Sequence, residues 1–238
     1  MVNRSGRHPG APIPADVEVV AGDVGEPGFL ESVTRGAEVV HQALNPPLHT
    51  WTFQFPLIQT QVLAAAQAAG ARLVSLENVY VYGAPRGRIL TEDLPYDAVT
   101  REGRVRGAMA RELLAAHQAG RVEVSIGRAS DYFGPRAGPQ SNLGDRVMPA
   151  ALSDRTAQVL GDPDQPHTHT YLPDIGEASR SSAITPTHPA RSGTCPTTPR
   201  RGPLGSWSAS PSPAPGARRS ACAAHRRSCC EPWVWSTR

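Results

Sequence analysis

Lysine is missing altogether: all 24 basic residues of this 238-residue chain are arginine. Any mechanism that needs an ammonium group is excluded by that alone. Aromatic residues make up only 5% of the chain and hydrophobic residues 39%, low values for a compact domain of this length. No apolar run approaches the ~20 residues of a membrane span, and no N-terminal stretch resembles a signal peptide. A cytoplasmic protein without a membrane partner is therefore expected. Cysteine is confined to four positions near the C-terminus, Cys195, Cys222, Cys229 and Cys230. Their surroundings give no support to metal-ligand spacing, so no metal site is expected.

What is present divides the chain in two. From about Ala178 the text turns to Ser, Pro and Arg, with nine arginines against one acid, Glu231. The rest carries fifteen arginines against twenty acids, so the basic balance belongs to the tail. Such a tail reads as disorder. Its arginines could also meet phosphates, although nucleic acid is not the expected partner. The abrupt change of text, in a sequence rich in Ala, Gly, Pro and Arg, is also what a frameshift in a GC-rich gene produces.

Ahead of the tail, short apolar runs alternate with helical patterns. The strands expected are Val17 to Val20, Ala37 to His41, the run from Arg72, Val122 to Ile126 and Thr156 to Leu160. Between them lie helices at 29–36, 57–69 and 103–119, with a shorter one at 142–152. Pro46, Pro47 and Pro56 are expected to keep the segment before Leu57 irregular. A last helix is expected to start with Asp174 as its cap and to break at about Ala178. His167 and His169, two apart beside Pro166, read as an exposed turn. Repeated strand–helix alternation predicts a doubly wound α/β domain with a parallel sheet. The central strand, RLVSLENVYVYGAP, ends in polar and aromatic residues. In open parallel sheets ligands bind beyond the carboxyl ends of the strands.

Asp23 after a strand, the loop after AEVVH, the LVSLENVYVYG strand and the GRASDYFGPR segment together resemble the extended short-chain dehydrogenase/reductases of the NAD-dependent epimerase/dehydratase type. The resemblance covers roughly 2–178. It implies a Rossmann-like sheet over 1–138, a remnant of a small substrate lobe over 139–178, and a disordered tail over 179–238. It also implies a chain lacking the family's first strand, glycine turn and first helix, since VNRSGR resembles the end of the second strand. NAD or NADP is the cofactor implied, its binding impaired by the missing turn. Carried over by position, the cofactor-binding residues are Arg4, Asp23, Val24, His41, Gln42, Ala43 and Tyr132. Gly134, in the segment that follows Tyr132, is expected to let the backbone approach closely.

The family's catalytic set is a Ser or Thr, a Tyr, and a Lys four residues on. Here the first position falls on Asn78, the second near Glu102 and the third on Arg106. Asn78 can donate a hydrogen bond to a carbonyl, and Arg106, placed facing the same mouth, can supply a fixed charge. Tyr80 and Tyr82 are the candidates for the acid, or else packing residues. The expected function is an NAD(P)-dependent oxidoreductase or epimerase/dehydratase-like protein, or a defective copy of one. The alternatives are a non-catalytic dinucleotide-binding regulator and a basic-tailed nucleic-acid-associated protein. No substrate is indicated, and a homodimer stays open. Limited proteolysis is expected to remove the tail and leave a resistant core; a tail that survives the protease would refute its assignment as disordered.

Overall fold

The computed structural model describes residues 1–7, 14–138, 141–144, 147–153, 155–159, 162, 164, 166–184 and 192–194. A central sheet of four parallel strands runs in the order β3 (Val39–Gln42), β4 (Arg72–Asn78), β5 (Val124–Ala129) and β8 (Ser192–Thr194). Two shorter parallel pairs stand apart from it: β1 (Val2–Asn3) with β2 (Val20–Ala21), and β6 (Asp131–Phe133) with β7 (His169–Tyr171). The strand expected at 17–20 thus shortens to its last residue plus Ala21. It pairs with β1.

Helices cover both faces of the main sheet, as a doubly wound fold requires. On one face α2 (Trp51–Ala69) and α3 (Arg101–Gln118) pack Val62, Leu63, Ala66, Ala110, Leu113 and Ala116 onto Leu73, Val124 and Ile126. Alternation along the strands turns Leu76 and Ala129 to the opposite face, where Ile175 of α5 (Leu172–Ile184) covers them. The remaining helices, α1 (Phe29–Val33) and α4 (Met148–Leu152), are single turns with no buried residue.

Several expected boundaries move. Helix α2 starts at Trp51, six residues early, with Pro56 inside it. The proline removes only the bond to the carbonyl of Thr52, an exposed residue whose oxygen water can satisfy. Burial of Trp51 and Phe55 against Met109 outweighs that loss. The helix expected at 142–152 contracts to α4, and 156–159 form no strand, Leu160 lying outside the described residues. Helix α5 neither starts at an Asp174 cap nor stops at Ala178. It follows β7 directly and runs to Ile184, because Ile175 and Ala178 bury against the sheet and Ser182 returns a bond to the carbonyl of Ala178. The four cysteines and the arginines from Arg191 on, apart from Ser192–Thr194 between them, lie outside the described residues.

Charge is buried in this core. Glu77 and Arg128 are register partners on β4 and β5, and both side chains are fully inaccessible. Arg128 Nε stands 3.6 Å from Glu77 Oε2, while its two terminal nitrogens donate to the hydroxyls of Tyr82 at 3.1 Å and Tyr96 at 2.7 Å. Arg106, 3% exposed, lies with its guanidinium 4.6 Å from the Phe55 ring centre. Burial raises the Glu77 pKa, and the two arginines oppose that rise. Removing one member leaves the other's charge stranded in the core. Arg128→Met is therefore expected to cost about 3 kcal/mol in urea unfolding, and Glu77→Leu combined with it to recover part of the loss. Strict additivity of the two substitutions would show that the pair is not coupled.

Candidate active site

Strand β4 leaves the sheet at Asn78 and turns at once into a short 3-10 segment, Tyr80–Tyr82. The Asn78 side chain shapes that exit: its Oδ1 accepts from the Tyr80 backbone N–H at 3.1 Å. Beneath the turn lies the first turn of α3, capped by Thr100, whose hydroxyl oxygen accepts from the Gly103 N–H at 3.1 Å. Only glycine fits at 103, since a Cβ there would stand 2.6 Å from the Tyr80 carbonyl oxygen. Tyr80 is left 45% exposed, its ring 5.9 Å from that of Trp51.

Strand β5 ends one residue before β6, which opens on Asp131 beside this turn. Asp131 Oδ2 accepts from Asn142 Nδ2 at 2.7 Å and from His167 Nε2 at 2.7 Å. The bond to His167 holds the Asp131 carboxyl below its ordinary range, against burial, and the same bond holds His167 above the ordinary imidazole value. The His169 ring lies 4.7 Å from that of His167, and burial and then the neighbouring His167 push its pKa down. Burial, followed by the negative charge of Asp131, raises the hydroxyl pKa of both Tyr80 and Tyr132. Both tyrosines are therefore protonated donors near neutrality. The mouth thus holds Asn78, Tyr80, Asp131, Tyr132, His167 and His169. Glu102 contributes its field from α3.

The profile of the NAD dependent epimerase/dehydratase family matches residues 5–181. The chain belongs to this family. No curated protein sequence matches it. Solved structures of similar fold include the UDP-N-acetylglucosamine 4-epimerase of Methanobrevibacter ruminantium in complex with UDP-N-acetylmuramic acid. That structure is 16% identical, with a TM-score of 0.63 over 74% of this chain and 60% of the other. The dTDP-glucose 4,6-dehydratase of Streptomyces venezuelae, solved with NAD, is 17% identical, with a TM-score of 0.62 over 79% and 62%. The UDP-glucose 4-epimerase of Thermus thermophilus, also with NAD, is 17% identical, with a TM-score of 0.61 over 77% and 64%. The chain thus spans about 60% of the length of the first of these structures.

Against the family's pattern, the expected residues separate into four groups. Asn78, Tyr80 and Tyr132 share the mouth. Arg4, Asp23 and Val24 stand together at the ends of β1 and β2, where Arg4 Nε lies 3.5 Å from Asp23 Oδ2 and the Gly25 N–H donates to Asp23 Oδ1 at 2.8 Å. His41, Gln42 and Ala43 follow at the end of β3. There His41 Nδ1 lies 2.9 Å from Ser179 Oγ, and Gln42 is 3% exposed with no hydrogen-bond partner for its Oε1 among the described residues. Arg106 and Tyr82 leave the site. Arg106 was expected to face the mouth, but the helix turns it inward over Phe55 and Trp51, and Tyr82 is 3% exposed under Arg128.

Asp131, Asn142, His167 and His169 went unrecognised as site residues in the sequence, because pairing of β6 with β7 brings His167 to Asp131 across 36 residues, and Asn142 reaches the same carboxylate across 11. Gly134 does keep a close approach, but to a side chain: a Cβ there would meet the Tyr171 ring at 2.8 Å. Among the described residues no group of His, Cys, Asp and Glu could hold a metal ion, and no helix is long and apolar enough to cross a membrane.

The His167–Asp131 bond gives the β6–β7 pairing a defined pH window. The raised His167 pKa contributes stability that is complete below the ordinary value of 6.5 and lost as pH climbs through the raised one. The depressed Asp131 pKa contributes stability present above 3.8 and lost as pH falls through the depressed value. Amides of β7 are therefore expected to show their greatest exchange protection at about pH 4–6.5, weakening on either side. Asp131→Asn should flatten that profile; an unchanged profile in the variant would refute the assignment.

Proposed function

We propose that this chain is the dinucleotide-binding part of an NAD(P)-dependent oxidoreductase or epimerase/dehydratase that acts on a nucleotide-linked sugar. The observation that carries the reading is the mouth beyond β4 and β5, where Asn78, Tyr80 and Tyr132 converge within a chain of this family. The similar structures bind UDP- and dTDP-linked compounds, which suggests the substrate class.

The residues present fit a dinucleotide at its two ends. Asp23, fixed by Arg4 and the Gly25 N–H, would accept from the adenine amine, and exposed Arg4 would meet a 2′-phosphate if one is there. The unpartnered Oε1 of Gln42 would take a ribose hydroxyl, with His41 and Ala43 along the same edge. For the pyrophosphate the fit is poor: among the described residues, the only helix that opens on glycines is the five-residue α1. The nicotinamide supplies hydride acceptance and donation when bound. Asn78 Oδ1 is committed to the Tyr80 N–H, which leaves its Nδ2 to donate to a substrate oxygen. Tyr80 and Tyr132 would donate as neutral hydroxyls.

A non-catalytic dinucleotide-binding regulator is the second reading, favoured by the absence of any lysine to lower a tyrosine pKa. Calorimetry with NAD and NADP, followed by turnover assays with UDP- and dTDP-sugars, tests both. Binding is expected to be weaker than micromolar, and Arg4→Ala to weaken NADP more than NAD. Asn78→Ala should leave that binding intact and lower turnover about 100-fold. Binding without any turnover would favour the regulator, and no binding of either dinucleotide would refute both readings.

A further inference from the structure

One constellation at the mouth has no counterpart among the residues carried over by position. Asp131 Oδ2 is held by Asn142 on one side and His167 on the other, each at 2.7 Å. Because His167 Nε2 donates to the carboxylate, a neutral His167 carries its lone pair on Nδ1. The His167 side chain is 48% exposed, so that nitrogen is reachable from outside. Beside it His169 presents a second imidazole, both of whose nitrogens are buried with no hydrogen-bond partner among the described residues. A buried imidazole always has one N–H and one lone pair to satisfy, which a bound hydroxyl would do.

We propose that His167 is the proton-transfer group of this site, held in orientation by Asp131 and Asn142. The inference rests on the proposed oxidoreductase function. Its logic is that of a carboxylate-oriented imidazole, here brought to the site by the β6–β7 pairing. The groups facing the couple are His169 on β7, Tyr132 on β6, Tyr80 on the turn after β4, and Glu102 through its field on Tyr80. Neither tyrosine can replace it as base, since burial and the Asp131 charge keep both phenols protonated and no lysine is present to reverse that. His167, with Nε2 bound to Asp131 and its side chain half exposed, is left as the side chain at the mouth placed to exchange a proton through Nδ1.

The step balances without a further reactant. A bound nicotinamide would accept the hydride of the carbinol C–H bond, and the carbinol O–H would give up its proton in the same oxidation. The proton passes to His167 Nδ1, and the C=O bond forms. Reduction runs the same transfers backwards, with the His167 imidazolium as acid.

The test has two arms. In the first, the imidazoles of the purified chain are titrated by NMR with no cofactor present. His167 should titrate above the ordinary imidazole value, and Asp131→Asn should bring it down. In the second, kcat and KM are followed against pH with UDP-glucose and whichever dinucleotide binds. Oxidation should rise with pH on a limb set by His167. His167→Gln should lower kcat about 100-fold with little change in KM and abolish the limb, and Asp131→Asn should move the limb to lower pH. His167→Asn repeats the measurement should the glutamine variant fail to fold.

A His167 that titrates at or below the ordinary value, or is indifferent to Asp131→Asn, overturns the proposal. So does a limb that survives both His167 variants, or a wild-type chain that binds dinucleotide without turnover. Failure to bind dinucleotide would instead strike first at the oxidoreductase reading, and His167 would lose its role with it. Binding and turnover with an unchanged limb would remove His167 alone.

Discussion

A carboxylate buried between two guanidinium groups is the constraint on which the rest of the architecture depends. Glu77 has no accessible surface, and among the described residues neither of its oxygens finds a hydrogen bond, so the fields of Arg128 and Arg106 compensate its charge. Such an arrangement is a poor source of stability but a demanding specification of geometry. A one-residue slip between β4 and β5 would carry Arg128 to the opposite face of the sheet and strand Glu77. The same guanidinium fixes Tyr82 and Tyr96, and through Tyr82 it holds down the turn that carries Tyr80. Arg106 ties α3 to the N-terminal part of α2 by lying over Phe55 and Trp51. The charges within the core and the polar groups at the mouth are thus neighbours along one strand, on residues 77 and 78.

Arginine stays charged when buried, whereas a lysine in the place of Arg106 would be pressed to give up its proton. The Arg106 guanidinium is folded back into the core over Phe55 and Trp51. Asp131 and Tyr132 on β6 and His169 on β7 stand outside the central sheet.

The helices and strands of the α2–β4–α3–β5 unit were legible in the sequence because their apolar spacing is regular and their stops are strong. Gly70 ends α2 in the left-handed conformation, as expected of a C-terminal glycine. The start of α2 was not legible, since Pro56 reads as a breaker until Trp51 and Phe55 are seen to bury. Asn78, Tyr80 and Tyr132 could be placed because strand ends are local features. Arg106 could not, because helical position gives no sign of whether a long side chain turns outward or lies across aromatic rings. The Asp131–His167 contact was hidden for another reason. It depends on parallel pairing of two three-residue strands, too short to announce themselves by alternation.

Helix α5 has a mechanical role as well as a packing one. It leaves β7 without a linker, so its first turn is rigidly joined to the strand that bears His169. Farther along, Ser179 meets His41 of β3, and the carbonyl of Ala183 accepts from Arg72 at the opening of β4. A thirteen-residue helix is about 20 Å long, close to the height of a seven-residue strand. The helix is therefore a strut pinned at both ends of the sheet. A displacement of β7 at the mouth would be delivered to the amino end of β4, on the far side of the core.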